Sequence, residues 1–172
     1  MIRRGFTLIE MAITVAILAL MTAFASPLFR QWVGDATLTS ATRSLVNGVN
    51  LAHAAALETG APVTLCPYAS TACGASWNAG WALWRTTSAG TLERIAAQQV
   101  LDAGTAVVVT APAAASSVTF QPNGTATPLG SWVLCDARGA PHARAVTLFG
   151  SGLAFANTQP GVSLTGAPLT CP

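Results

Sequence analysis

Residues 1–30 read MIRRGFTLIEMAITVAILALMTAFASPLFR, and this stretch decides the fold of the chain. From residue 6 to residue 29 every side chain is apolar or small except the carboxylate of Glu10. As a helix these 24 residues would be roughly 36 Å long, which is enough to cross a hydrocarbon core of about 30 Å. Arg3 and Arg4 predict a cytoplasmic N-terminus, with the chain beyond residue 30 outside the cytoplasm.

Glu10 is the anomaly in this stretch. An ionised acid in an apolar helix costs roughly 2.5 to 3.5 kcal/mol at the bilayer centre, and such residues are rare without a partner. A cleaved secretory signal is one interpretation, because Ala23-Phe24-Ala25-Ser26 matches an A-x-A cleavage site. An inert membrane anchor is another interpretation, and both leave Glu10 unexplained.

The run Gly5-Phe6-Thr7-Leu8-Ile9-Glu10 resembles the prepilin motif of type IV pilins and type II secretion pseudopilins. The resemblance implies that a prepilin peptidase cleaves between Gly5 and Phe6, that Phe6 is N-methylated, and that the apolar helix stays on the mature protein. It also implies that Glu10 pairs with the positively charged N-terminus of a neighbouring subunit in a filament. This pairing is physically sensible, because a buried carboxylate must find a cation or give up its charge.

The composition indicates one small domain behind the helix and argues against binding by bulk charge. The chain has 172 residues, of which only 8% are charged, and no lysine. Loss of Arg3 and Arg4 with the leader would leave six arginines against six acids, so the formal charge of +2 would fall to zero. A neutral chain of this kind is not expected to bind nucleic acid.

Four cysteines lie in the part of the chain that is predicted to be outside the cytoplasm, where an oxidising periplasm favours disulfides. The C-x₂₋₄-C pairs that zinc normally requires do not occur. Of the three possible pairings we favour Cys66 with Cys73, a local staple, and Cys135 with Cys171, which would tie the C-terminus to the preceding sheet.

A second helical segment follows the apolar one. Pro27 is expected to kink the helix without necessarily ending it, and Gly60 followed by Pro62 supplies the stop signals. One helix is therefore predicted over residues 7–59. Its second half carries an apolar stripe that recurs every three to four residues: Leu38, Ala41, Leu45, Val49, Ala52 and Ala56.

The later chain predicts β-structure, in short apolar or β-branched runs separated by turn residues. Ser88-Ala89-Gly90, Asn123-Gly124 and Gly150-Ser151-Gly152 are plausible hairpin turns. The fold class is therefore α+β, with a long N-terminal helix, membrane half plus amphipathic half, packed on an antiparallel β-sheet head domain. The predicted strands cover residues 63–66, 81–85, 92–96, 105–110, 118–120, 132–135, 145–149 and 153–156.

Motifs in this later region extend the resemblance to nearly the whole chain. In order, they are residues 63–66, Cys73, Trp77, Gly80-Trp81, Phe120-x-Pro122-x-Gly124 and Leu134-Cys135, and they are similar to the GspH/FimT group of minor pilins and pseudopilins. The cysteine pairs favour the FimT- and FimU-like minor pilins over the secretion pseudopilin. The resemblance implies a pilin-like fold with three parts: a leader at 1–5, a transmembrane and filament-core helix at 6–29, and an amphipathic helix plus β-rich periplasmic head at 30–172.

DNA capture is an alternative function for a chain of this group. Some FimT-like pilins are implicated in DNA uptake through a glycine-arginine-x-arginine element in a C-terminal hairpin. The matching place here reads Gly152-Leu153-Ala154-Phe155, so both arginines are missing. What remains is a small basic loop of Arg138, His142 and Arg144 around Pro141, in which Arg138 and Arg144 are the candidates for a weak DNA contact. We favour an ordinary solvated loop as the explanation of these residues.

Catalysis and cofactor binding are not expected. No acid or cysteine stands at catalytic spacing to His53 or His142, and Gly150-Ser151-Gly152 lacks the G-x-S-x-G form of a nucleophile elbow. Neither a cofactor nor a metal is predicted. Four tryptophans are expected to anchor the core and hairpins: Trp77, Trp81, Trp84 and Trp132.

The resemblance therefore implies a structural minor pilin of a type IV pilus, and a GspH-like pseudopilin of a type II secretion system is the alternative. A DNA-binding minor pilin is the second alternative. Expected partners are other pilin or pseudopilin subunits, prepilin peptidase, the inner-membrane assembly platform and, before assembly, membrane lipid. The expected location is the bacterial inner membrane, crossed once with the head in the periplasm, and then the filament.

Overall fold

The computed structural model describes residues 7–87, 89–99, 108–110 and 116–171. The predicted leader at 1–5 and the cleavage residues Gly5 and Phe6 lie outside the described residues. Residues 105–107 of one predicted strand and Ser88 of one predicted turn also lie outside them. The chain divides into two units, Met1–Ala36 and Thr37–Pro172.

A single helix, α1, spans Leu8–Thr59 and confirms the helix predicted over residues 7–59. The helix ends where Gly60 takes a φ of 62°, a left-handed conformation that costs glycine little, and Pro62 follows. By length and hydropathy together, no helix in the described part of the chain qualifies as a membrane span.

Within the second unit, the predicted apolar stripe of α1 is the face that packs on the head. Leu38, Val49, Ala52 and Ala56 are each fully buried there, and Leu45 is nearly so. The remaining stripe residue, Ala41, is partly buried and packs against the same core.

Within the described residues, nine strands follow α1 and form two antiparallel sheets. The first sheet has five strands in the order β3-β2-β1-β5-β6, and the second has four in the order β4-β7-β8-β9. Among the described connections, short 3₁₀ helices form at Trp77–Ala79 and Ala140–His142. The strands are β1 Val63–Pro67, β2 Gly80–Thr86, β3 Leu92–Gln99, β4 Val108–Thr110, β5 Val118–Phe120, β6 Ala126–Thr127, β7 Gly130–Cys135, β8 Arg144–Leu148 and β9 Ala154–Ala156.

The strand predictions need three refinements. The predicted strands 145–149 and 153–156 include Phe149 and Leu153, but β8 ends at Leu148 and β9 begins at Ala154. Phe149 begins a turn, in which its carbonyl accepts from Gly152 N at 2.9 Å. β6 was not predicted, since two residues are too few to produce an alternating pattern. The antiparallel β-structure also forms two sheets, a partition that depends on long-range pairing.

Both sheets contribute to the same core as α1. The main apolar cluster joins Val63 and Phe120 of the five-stranded sheet to Trp132 and Val146 of the four-stranded sheet, and all four are fully buried. The helix stripe belongs to the same cluster. The head is therefore stabilised by one core in which the helix and both sheets bury their apolar faces.

Gly48 lets β2 pack closely on α1. A Cβ placed on Gly48 would lie 2.8 Å from Cε2 and 2.9 Å from Cδ2 of the Trp81 indole, closer than such atoms can approach. Trp81 Nε1 also donates a hydrogen bond of 3.1 Å to Ser44 Oγ, one turn earlier on the helix. The missing side chain and this hydrogen bond together fix the helix on the sheet.

Candidate assembly site

The first turn of α1 is closed by a reciprocal pair, Thr7 and Glu10. The Thr7 backbone N and Oγ1 each donate to Glu10 Oε2 at 3.0 Å, and Glu10 N donates to Thr7 Oγ1 at 3.3 Å. This is the capping-box arrangement, in which the residue before the helix and the third helical residue satisfy each other's free N–H groups. Glu10 thus has a partner within its own chain.

From the sequence, Glu10 is expected to need a cation, and no role is predicted for Thr7. The T-x-x-E spacing at the start of an apolar run is itself the sequence signal of a capping box and could have identified Thr7. The pairing of Glu10 with a neighbouring subunit stays a prediction.

Residues 8–21 of α1 expose apolar side chains on every side. Exposed residues occur at adjacent positions as well as at helical spacing, so no single polar face remains. Thr14 and Thr22 direct their hydroxyls to helix carbonyls, which satisfies their polar atoms within the helix. The large exposed apolar residues are Leu8, Ile9, Met11, Ile13, Val15, Ile17, Leu18, Leu20 and Met21.

Two disulfides are present in the head, with the pairing that the sequence analysis favoured. Cys66 joins Cys73, with Cα atoms 5.5 Å apart, and Cys135 joins Cys171, with Cα atoms 5.9 Å apart. The first closes the loop after β1. The second ties the last turn of the chain to β7, and Leu169 packs into the same small cluster as Cys135.

The two arginines named as candidate DNA contacts are both engaged within the head. Arg138 Nη2 lies 2.6 Å and Nε 2.9 Å from Asp136 Oδ2, and Arg138 N donates to Asp136 Oδ1 at 3.0 Å. Arg144 Nη1 donates to the carbonyl of Thr158 at 2.7 Å. The Asp136 charge offsets that of Arg138, so the loop offers less positive charge to a phosphate than its sequence suggests.

The Asp136 carboxyl is correspondingly perturbed. Partial burial alone would raise its pKa, but hydrogen bonds from the Arg138 side chain and backbone, with the charges of Arg138 and His142, hold the pKa below its ordinary value. The lowered pKa indicates that the Asp136–Arg138 pair stabilises the loop when Asp136 is ionised.

The structure places the two histidines on different elements, His53 on α1 and His142 on a 3₁₀ helix. His53 packs against two turns, and a Cβ placed on Gly152 would lie 2.5 Å from His53 Cδ2. His142 closes the 3₁₀ helix Ala140–His142. Within the residues that the structure describes, no group of three or more His, Cys, Asp or Glu side chains could hold a metal ion.

The tryptophans lie where the sequence predicts core anchors. The rings of Trp77 and Trp132 meet edge to face with centroids 5.5 Å apart, and Trp84 is also buried. Trp81 is half-buried and contacts α1, as described above. The Nε1 atoms of Trp77, Trp84 and Trp132 find no hydrogen-bond acceptor among the described residues.

Two family profiles match the sequence. The profile described as type II transport protein GspH matches residues 41–152, which is more than half of the chain. The profile described as the prokaryotic N-terminal methylation motif matches residues 1–26. No curated protein matches the chain.

The fold is similar to that of a solved minor pilin. A crystal structure of the type IV minor pilin FimU of Pseudomonas aeruginosa (strain PAO1) matches with a TM-score of 0.58 at 16% identity, over 78% of this chain and 94% of that one. A second crystal form of FimU matches with a TM-score of 0.57 at 15% identity, over 78% of this chain and 99% of that one. By its sequence profile, its N-terminal motif and its pilin-like fold, the chain belongs to the GspH family.

Proposed function

We propose that this chain is a structural minor pilin of a type IV pilus, cut by prepilin peptidase between Gly5 and Phe6 and assembled into the filament through α1. The observation that carries the proposal is the apolar surface of residues 8–21, which is exposed on all sides of the helix. A helix with this surface requires apolar surroundings, since burying each leucine-sized side chain is worth about 1.5 to 3 kcal/mol.

Two environments can supply that burial in sequence. Lipid of the bacterial inner membrane surrounds the helix before assembly, with the head in the periplasm, and the helices of other pilin subunits surround it in the filament. The assembly platform of the inner membrane moves the subunit from the first environment to the second. The folded, disulfide-closed head suits exposure outside the cytoplasm, where such bonds persist.

Glu10 supplies the polar contact between subunits in this proposal. Its carboxylate lies at the start of α1, where the methylated N-terminal amine of a neighbouring subunit would be the cation. In apolar surroundings such a charge pair is much stronger than in water, and an unpaired carboxylate there is costly.

The first test is the chemistry of the mature N-terminus. Mass spectrometry of the purified chain is expected to find N-methylated Phe6 as the first residue. A mature chain that begins near Ser26 would instead identify a cleaved secretory signal and would remove the helix on which the proposal depends.

The second test is assembly in the native host. Glu10→Ala is expected to leave membrane insertion unchanged and to lower the amount of the subunit in sheared filaments. Glu58→Ala is the matched control, because Glu58 is an exposed acid at the other end of the same helix. Equal incorporation of both variants would contradict the pairing role of Glu10.

A pseudopilin of a type II secretion system is the second candidate, and one observation favours it: the matching profile carries the description type II transport protein GspH. Both machines would use α1 in the same way, so deletion phenotypes distinguish them. Loss of twitching motility with normal secretion supports the pilus, whereas loss of secretion with normal twitching supports the pseudopilus. Nucleic acid and catalysis have no part in either function as proposed.

A further inference from the structure

The four-stranded sheet has one face in the core and an outer face on the opposite side. Trp132 and Leu134 of β7 and Val146 and Leu148 of β8 are all buried in the main core cluster. Because side chains alternate along a strand, the residues between them point to the outer face.

The C-terminal tail covers one end of this outer face. Leu169 packs there with Cys135, Ala143 and Ala145, and the Cys135–Cys171 disulfide holds the tail in place. Exposed apolar residues lie at the other end of the face, around the turn between β8 and β9. We call these residues the turn patch: Leu129, Phe149, Leu153 and Phe155.

The four residues of the turn patch are contiguous. The rings of Phe149 and Phe155 meet edge to face with centroids 5.8 Å apart. Phe149 N donates to the carbonyl of Leu153 at 3.0 Å, which sets these two residues opposite each other. Leu129 borders the same turn, since its Cδ1 would lie 3.7 Å from a Cβ placed on Gly150, the residue after Phe149.

The area of the turn patch indicates the kind of contact that it can make. Phe149 and Phe155 are 44% and 53% exposed, and Leu129 and Leu153 are 49% and 42% exposed. Since a whole side chain of this size presents about 200 Å², the patch exposes roughly 400 Å² of mainly apolar surface. A contiguous apolar patch of this size on a soluble surface is often functional.

An area of roughly 400 Å² is about half of the ~800 Å² that each partner buries in a stable complex. The patch is therefore too small to hold a free partner alone. It is large enough to bind a partner that another contact already holds close, because tethering raises the effective concentration of the second contact. In a filament, the α1 helices would provide that first contact.

The patch is also electrically neutral. The next outward-facing residues along the sheet are Ser131 and Thr147, whose hydroxyls hydrogen-bond each other at 2.9 Å. No charged side chain belongs to the patch, so apolar shape and not charge would recognise its partner.

We propose that the turn patch is a contact surface for the head of the neighbouring subunit in the same filament. This inference rests on the proposed function, because it requires a filament in which α1 already holds the two subunits together. It adds a second interface, on the head, that stabilises the subunit in its place after the helices have packed.

The test uses the full-length chain in its native host. A photoreactive phenylalanine analogue replaces Phe155, and after illumination the cross-linked partner is identified by mass spectrometry. The expected product joins position 155 to the head of another pilin-like subunit. The same product is expected to fall at least tenfold when Glu10→Ala is present, because the patch alone is too small to hold the partner.

A second measurement follows incorporation into sheared filaments. Phe155→Ser is expected to lower incorporation by about fivefold, the effect of losing one anchoring side chain at an interface. Leu92→Ser is the matched control, because Leu92 is 60% exposed on the other sheet of the head. Retention of both disulfides in the variants shows that the head has folded, and the photoreactive analogue tests the same contact while keeping an aromatic ring at position 155.

The outcomes separate this inference from the proposed function. A wild-type chain that never enters filaments refutes the proposed function. A wild-type chain that enters filaments, with Phe155→Ser equal to Leu92→Ser, refutes the turn patch alone. Cross-links only to lipid, or to a subunit equally well with Glu10→Ala, also overturn the inference.

Discussion

Gly48→Ala is expected to destabilise the head even though alanine is the better helix former. Exchange of glycine for alanine inside a helix normally gains about 1 kcal/mol. At this position the new Cβ would lie 2.8 Å from Trp81 Cε2, and the Ser44 hydrogen bond resists displacement of the indole. Overpacking of this kind costs about 1 to 3 kcal/mol, so we expect a net loss of about 1 kcal/mol.

When the Trp81 indole is removed, Gly48→Ala is expected to raise the free energy of unfolding and no longer to lower it. In a Trp81→Ala background the Cβ of Gly48→Ala meets no ring, so only the helix-propensity gain of about 1 kcal/mol remains. The coupling energy between the two positions is therefore about 2 kcal/mol, within the range for residues in direct contact.

Urea unfolding of a fragment that begins at Thr37, the start of the compact second unit, measures each free energy of unfolding. Ala54→Gly is the control, since Ala54 is exposed on the same helix and should cost about 1 kcal/mol in both backgrounds. Stabilisation by Gly48→Ala in the wild-type background, or an effect of the same sign in both backgrounds, would refute the close-packing argument.

Three further predictions concern the tail, the loop and the helix cap. Replacing both Cys135 and Cys171 by serine should lower the free energy of unfolding by about 3.8 kcal/mol on loop-entropy grounds, as measured in urea, because the closed loop spans a separation of 36 residues. Folding lowers the pKa of Asp136, so the ionised carboxylate stabilises the folded chain above about pH 4, and this stabilisation is lost as the pH falls through the lower pKa of the folded state. Asp136→Asn lacks this contribution, so its thermal midpoint should fall less on acidification than that of wild type. Thr7→Val should reduce incorporation into filaments whereas Thr7→Ser should not, because only serine keeps the hydroxyl that bonds Glu10.

Local patterns were sufficient to predict α1 and most strands. The apolar stripe identifies the buried side of the helix at Leu45 and Val49 because helical spacing is a property of neighbouring residues. Likewise Asn123-Gly124 predicts the turn between β5 and β6, where Gly124 takes a φ of 85° that favours glycine.

Contacts between distant residues could not be predicted in the same way. From the sequence alone, Gly48 indicates only a destabilising residue inside a helix. In the structure, the Trp81 side chain of β2 fills the space beside Gly48. The division of the strands into two sheets has the same origin, since the order of strands depends on pairing across the chain. Arg138 is different: its bond to Asp136 spans two residues, and an aspartate so close could have suggested an ion pair from the sequence.

The geometry of the Thr7–Glu10 cap explains why Thr7→Val is expected to lower, and not to raise, incorporation into filaments. If Thr7 and the amine of a neighbouring subunit competed for the same oxygen of Glu10, loss of the Thr7 hydroxyl would favour assembly. Both donors from Thr7, however, bond Oε2, and no donor among the described residues bonds Oε1. A carboxylate can accept several hydrogen bonds, so Oε1 can receive the amine while Oε2 stays capped. Thr7 therefore orients the carboxylate for its partner, and increased incorporation of Thr7→Val would show instead that the cap and the neighbouring amine exclude each other.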